Sequence, residues 1–172
     1  MSNVASVRKS QTVVDVETRA RSEHHDALRV WLRLLATTNL VEARVRSLLQ
    51  QKFATTLPRF DLMAQLERAP AGLKMGELSQ RMMTTGGNVT GITDLLERQG
   101  LVTRIGDPHD RRALRVRLTA AGRRAFGAMA EAHEQWIIDA FAALPSGEIR
   151  QLSDLLGRLK AQVKKTGEES HT

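Results

Sequence analysis

The sequence predicts a mainly helical fold (α+β), with one small antiparallel hairpin set among amphipathic helices. Three observations predict it. Residues 24–53 hold neither Gly nor Pro, and their apolar positions recur close to a 3.6 period. Two short helical stretches flank a polar turn at residues 84–87. Finally, Leu101–Ile105 and Ala113–Leu118 have strand character on either side of Gly106, Asp107 and Pro108.

The first helix carries Leu28, Trp31, Leu32, Leu35, Val45, Leu48 and Leu49 on its apolar stripe. At roughly 30 residues and 1.5 Å each it would span ~45 Å. One small domain cannot cover such a stripe, so the helix is expected to need a partner. Thr55-Thr56-Leu57-Pro58 starts the second helix with a hydroxyl cap and an early proline. That helix runs to about Arg68 and stops at Pro70-Ala71-Gly72. A third, short helix from Met75 to Met82 points Leu78 and Met82 inward, and Thr84-Thr85-Gly86-Gly87 forms the turn. Asn88–Arg98 continues as the fourth helix. The last two helices together read as a helix-turn-helix.

The hairpin follows at once. Gly106 supplies free φ, Asp107 a capping side chain and Pro108 a fixed φ. Val116 and Leu118 alternate with Arg115 and Arg117, the period of a half-buried strand. Thr119 caps a fifth helix reaching Leu144, striped by Phe126, Met129, Ala130, His133, Trp136, Ile137, Ala140 and Phe141. Pro145-Ser146-Gly147-Glu148 restarts the chain as a sixth helix bearing Ile149, Leu152, Leu156, Leu159 and Val163. Three amphipathic helices, one early and two late, thus have stripes to bury. A two-fold dimer built from both chain ends is the simplest solution, and a bundle within one chain is the alternative.

A hairpin placed directly after a helix-turn-helix is the layout of a winged helix. Between Arg98 and Arg124 there are eight Arg, no Lys and two Asp. Guanidinium groups shed water more readily than ammonium groups and suit a narrow, electronegative minor groove. A solvated surface hairpin would look similar in isolation. On the fourth helix Val89, Ile92 and Leu96 share one face, with Leu95 alongside. The opposite face holds Gly87, Thr90, Gly91 and Asp94, with Asn88 at its flank. Each glycine costs a helix about 1 kcal/mol against Ala, which makes sense where a backbone must approach another surface closely. Thr90 offers a methyl to thymine or a hydroxyl to phosphate, and Asn88 can pair with adenine. The plainer alternative is that Gly86-Gly87 merely forms the turn.

The string Asp107-x-x-Asp110-Arg111-Arg112-x-x-x-Val116-x-Leu118-Thr119-x-x-Gly122 resembles the wing signature of MarR-type transcriptional regulators. The preceding Leu95-Leu96-Glu97-x-x-Gly100-Leu101-Val102 resembles the end of their recognition helix. The resemblance covers about residues 24–165. It implies DNA contacts from Thr84, Thr85, Gly86, Gly87, Asn88, Thr90 and Gly91. It also implies that Arg112 enters the minor groove, that Asp110 orients it and that Arg111 pairs with phosphate. Many members carry Arg where this chain has Gly91, so an operator sequence cannot be borrowed from them. The resemblance further implies a homodimeric repressor on a pseudo-palindromic operator, released by a small molecule. Phenolic or aromatic carboxylates, or their coenzyme A thioesters, are the implied effectors. Candidate pocket residues are Trp31, Arg33, Leu35, Asn39, Arg46, Arg59, Phe60 and Met63, each of which could equally be ordinary core or surface. The expected organisation is a flexible tail at 1–22, a dimerisation helix at 23–54 and a winged helix-turn-helix DNA-binding domain at 55–118. Within that domain the recognition helix occupies about 86–98 and the wing 101–118. C-terminal dimerisation helices at 119–165 and a tail at 166–172 complete it.

Composition narrows the choice. The 172 residues hold 26 Lys+Arg against 19 Asp+Glu, a formal net charge of +7 that favours a polyanionic partner. Aromatic residues are only 3%, which argues for duplex over single-strand recognition, since the latter needs exposed stacking rings. The absence of Cys excludes disulfides, thiolate metal sites and the thiol peroxide sensing that some MarR-type relatives use. His24, His25, His109, His133 and His171 form no metal motif, and no cofactor is expected. No GxSxG, HExxH, P-loop or GxGxxG occurs, so an enzyme is not expected. No apolar run reaches the ~20 residues of a membrane helix, and no signal-peptide core is seen; a soluble cytoplasmic protein is expected. A non-specific architectural duplex binder and a winged-helix protein-interaction module are the alternatives.

Overall fold

The computed structural model describes residues 25–107 and 113–169. The chain divides into two units, residues 1–44 and 45–172. Helix α1 (Asp26–Phe53) begins in the first and ends in the second. With no Gly or Pro to interrupt it, the helix opens on an Asp26–Arg29 ion pair at 2.9 Å. In the first unit Leu28, Val30, Trp31, Leu35 and Leu40 are all exposed, Trp31 at 54%.

The second unit contains the core. Val45 and Leu49 at the end of α1 are buried, and α2 (Leu57–Glu67) adds Phe60, Leu62, Met63 and Leu66. Pro58 lies in the first turn of α2 as the sequence predicts, but the Thr56 hydroxyl makes no capping bond. Gly72 then takes φ +85°, where any Cβ would meet the Val116 carbonyl oxygen at 2.9 Å. This glycine lets a two-residue strand, β1 (Leu73–Lys74), pair with the hairpin, Leu73 opposite Val116. Helix α3 (Met75–Arg81) follows, its first turn closed by the Lys74 N–H donating to Glu77 Oε2 at 2.7 Å.

Helix α4 (Gly86–Arg98) leads into β2 (Val102–Gly106) and β3 (Leu114–Leu118). The strand order is β1-β3-β2, antiparallel throughout, with Val102 opposite Leu118 and Gly106 opposite Leu114. Val102, Val116 and Leu118 turn into the core against α2, and α4 lays Val89 and Leu96 there too. Burying each such side chain contributes about 1.5–3 kcal/mol.

Helix α5 (Ala120–Phe141) is capped as its sequence predicts, with the Thr119 hydroxyl accepting from the Gly122 N–H at 2.9 Å. Gly122 is needed for a close approach, because a Cβ there would lie 1.9 Å from the Leu101 carbonyl oxygen. The inward face of α5 builds an aromatic stack. Phe126 and His133 lie against Phe60 (ring centroids 5.5 and 4.9 Å), and Trp136 lies near Phe53 (6.3 Å) with Lys52 Nζ over its ring.

Helix α6 (Ser146–Glu169) runs into the stretch expected to be a tail. Ile149, Leu152, Leu155, Leu156, Leu159 and Val163 form an apolar stripe along it, and all are exposed.

Candidate nucleic-acid interface

The link between α3 and α4 differs from the turn the sequence suggests. The left-handed residue is Met83 (φ 50°), not a glycine, and it is 94% exposed. Its N–H donates to the Gln80 carbonyl and the Thr84 N–H to the Ser79 carbonyl, which closes α3. Thr85 is the N-cap residue of α4, yet its side chain makes no capping bond, and no acidic residue lies in the first turn. The N-terminal end of α4 therefore keeps its positive dipole end facing outward.

Gly86 and Gly87 lie inside the helix without positive φ, so the turn does not account for them. Packing does not account for them either. A Cβ at Gly87 or Gly91 would meet nothing within 4 Å, and one at Gly86 only an ordinary contact with Ser79. The exposed residues of this half are Thr85, Gly86, Gly87, Asn88, Thr90 and Gly91, with Thr84 half-buried. Asn88 Nδ2 donates to Thr84 Oγ1 at 3.1 Å, and Thr90 Oγ1 donates to the Gly86 carbonyl at 2.9 Å. With its proton committed, the Thr90 hydroxyl faces outward as an acceptor beside its methyl group. The opposite face buries Val89, Thr93 and Leu96, and the Thr93 hydroxyl is satisfied by the Val89 carbonyl at 2.8 Å.

The second half of α4 is held by the hairpin. Arg104 of β2 reaches both Asp94 and Glu97, and its backbone N–H also donates to Glu97 Oε1 at 3.1 Å. The hydrogen bond to Asp94 raises the Arg104 pKa, opposed by partial burial and aided by the charge of Glu97. Asp94, expected on the outer face, is thus half-buried in this clamp. At the root of the hairpin the Asp107 carboxylate is 1% exposed. It accepts from Arg115 Nε at 2.7 Å and lies 3.4 Å from Lys74 Nζ, while Arg115 Nη1 donates to the Gly72 carbonyl at 2.8 Å. Arg123 Nη1 donates to the Leu118 carbonyl. Of the hairpin-region arginines that sequence counts toward a DNA surface, Arg104, Arg115 and Arg123 instead hold the fold together. Asp110, Arg111 and Arg112 lie outside the described residues, as do His24, His109 and His171.

Two openings flank α4. A groove of about 370 Å³ runs between its outer face (Gly87, Asn88, Gly91) and the start of α2 (Thr56, Pro58, Arg59). A second cavity, of about 350 Å³, lies beneath its far end, lined by Phe53, Met63, Leu101 and Met129 with Thr55, Arg59 and Gln99. Of the suggested pocket residues, Arg59 and Met63 line this cavity. Phe60 belongs to the aromatic stack, Arg46 is exposed on α1, and Trp31, Arg33, Leu35 and Asn39 are exposed residues of the first unit.

A helix-turn-helix whose second helix is presented outward, buttressed by a three-stranded wing, defines a winged-helix DNA-binding protein. A model of the MarR family matches residues 55–113. The chain is 30% identical to a MarR family transcriptional regulator from Silicibacter pomeroyi of known crystal structure. The match covers 83% of this chain and 99% of that one, with a TM-score of 0.69. It is 27% identical to the HTH-type transcriptional regulator YsmB of Bacillus subtilis, across 73% of this chain and 85% of that protein. The fold is also that of AbsC, a MarR family regulator from Streptomyces coelicolor (TM-score 0.71, 19% identity, 84% and 97% covered). The chain belongs to the MarR family, and it is a DNA-binding transcriptional regulator rather than an enzyme. Among the described residues, no helix is long and apolar enough to cross a membrane.

Proposed function

We propose that the protein is a homodimeric, ligand-released repressor that reads a pseudo-palindromic operator in the cytoplasm. The observation that carries the DNA-reading half is the outer face of α4. Gly87 and Gly91 cost helix stability, and neither the turn nor the packing requires them. A duplex groove is a surface against which a bare backbone helps. Thr84, Thr85, Gly86, Gly87, Asn88, Thr90 and Gly91 would enter the major groove. Arg112, oriented by Asp110, would enter the minor groove while Arg111 pairs with phosphate. Because its proton is committed within the helix, Thr90 suits a base amine or a thymine methyl better than a phosphate oxygen.

The exposed stripe of α6 supports the dimer, as do the exposed apolar residues of the first unit. A second copy would cover such stripes and set two recognition helices about 34 Å apart. In this reading residues 55–118 bind DNA, and the helices at 23–54 and 119–165 join the protomers. The effector reading rests on the second cavity, which is apolar apart from Thr55, Gln99 and one cation, Arg59. A compact aromatic acid fits it, whereas the coenzyme A part of a thioester would have to stay outside.

The deciding experiment is titration of the DNA upstream of its own gene in excess random duplex, with sedimentation to give the mass. Retention of a dimer on that DNA is expected. Equal loss to random DNA would favour an architectural role instead.

A further inference from the structure

Met83, in the link between α3 and α4, combines two costly properties. Its φ of 50° lies in the left-handed region, where a long side chain is uncommon and Gly or Asn would sit with less strain. At 94% it is also the most exposed large apolar residue among those described. The backbone there is pinned, with the Met83 N–H donating to the Gln80 carbonyl and the Thr84 N–H to the Ser79 carbonyl, both at 3.2 Å. A fixed main chain thus holds an apolar thioether in water, immediately before Thr84, Thr85 and Gly86 of the proposed reading surface. An open recess of about 440 Å³ at this turn is lined by Met83 and four polar residues, Ser79, Gln80, Thr84 and Thr85.

With no Cys in the chain, thioethers are its softest groups toward an oxidant. Burial then separates the methionines. Met63 and Met129 are buried and Met75 and Met82 half-buried, which leaves Met83 as the exposed one among the described residues. We propose that Met83 is an oxidation site through which a hypohalous acid releases the protein from DNA. The sulfur lone pair takes chlorine from hypochlorous acid, the Cl–O bond breaks and hydroxide leaves. Water then adds to the sulfur, chloride departs and two protons are lost, one of them to the hydroxide. The sulfur is oxidised by two electrons to the sulfoxide and the chlorine is reduced by two to chloride.

The product is polar, and its new oxygen can only accept hydrogen bonds. Phosphate oxygens along a groove wall are acceptors as well, so the sulfoxide would give up water there without gaining a partner. The apolar contact that a thioether can make with a thymine methyl is lost at the same time. Because Met83 lies outside the core, oxidation weakens binding and leaves the fold intact. This rests on the DNA-reading proposal above, since α4 must meet the duplex for Met83 to matter.

The test uses the full chain, a small molar excess of hypochlorous acid and the DNA upstream of its own gene. Peptide masses locate the added oxygen, anisotropy gives DNA affinity and thermal melting gives stability. Met83 should gain its oxygen before Met63, Met75, Met82 and Met129. Affinity should fall at least about fivefold, the worth of one lost contact, with an unchanged melting curve, and methionine sulfoxide reductases should restore it. Met83→Leu, apolar but without sulfur, should bind equally before and after the oxidant. Met83→Gln, polar like the sulfoxide, should bind as weakly as the oxidised wild type, and the leucine variant decides the matter if the glutamine variant does not fold.

Undiminished affinity with Met83 oxidised, or an equal loss in treated Met83→Leu, overturns the proposal and leaves the DNA reading standing. So does a Met83 that stays unoxidised or is oxidised after any of those four methionines. Failure of the untreated wild type to prefer its own upstream DNA removes the DNA reading, and the proposal with it.

Discussion

The two halves of α4 have opposite designs within thirteen residues. From Gly86 to Gly91 the helix is glycine-rich and, apart from buried Val89, exposed, and its side-chain hydrogen bonds among the described residues are the local ones of Asn88 and Thr90. From Ile92 to Arg98 it is anchored by buried Leu96 and by the grip of Arg104 on Asp94 and Glu97. The lesson is a division of labour. On the proposed DNA reading, the far half fixes direction, so the near half can give up stability for contact. A recognition element that must sit within a few tenths of an ångström of base edges needs this firm rear anchor.

The contrast can be broken most forcefully from behind. Leu96→Ala should cost about 2–5 kcal/mol of folding stability, measured by urea denaturation, because its site is closed on every side. Arg104→Ala should cost about 1–2 kcal/mol, since it strips two half-exposed carboxylates of their cation. It should also reduce DNA affinity by freeing the helix end. The sign of the pH dependence follows from the raised Arg104 pKa. Such a group stabilises the fold at every pH below its unfolded value and loses that contribution only as pH rises through the folded one, in strongly alkaline solution. The difference between this variant and wild type should therefore be equal at about pH 6 and about pH 9, yet shrink in high salt.

The front half responds differently. Arg112→Ala should cost at least ~1 kcal/mol of specific binding, roughly fivefold, with an unchanged melting curve; normal operator affinity in gel-shift titrations would sink the wing assignment. Smallest in stability, and inverted in sign, are Gly87→Ala and Gly91→Ala. Each should raise stability by about 0.4–1 kcal/mol, since nothing lies within 4 Å to obstruct the methyl, while DNA affinity falls. A stabilised variant that still binds fully would mean these glycines serve no contact.

Much of this arrangement is legible in the sequence, for identifiable reasons. Strand alternation at Val116 and Leu118, the Thr119 cap and the breaks at Pro70 and Pro145 are local signals that the fold keeps, whereas the equally local hydroxyl cap expected at Thr56 is not made. Partnerships between distant residues are not local. Nothing near Asp107 in the chain reveals that it is buried against Arg115 and Lys74, because β1 is two residues long and has no readable period. Arg104 looks like a DNA-facing cation until Asp94 and Glu97 are brought to it in space. Met83 in a left-handed conformation runs against the expectation of glycine at such a position, so the turn is placed two residues late. The shared position of Arg59 between two openings has no sequence signature at all.

The seam at Gly122 has a mechanical meaning. With the α5 backbone resting on the Leu101 carbonyl, and with Thr119 bonded to both Gly100 and Leu101, no slack separates that helix from the base of the finger. The two are geared together like a crank and its pin. A tilt of α5, such as the proposed dimer partner or effector would impose, would bear directly on the base of the hairpin at Gly100 and Leu101.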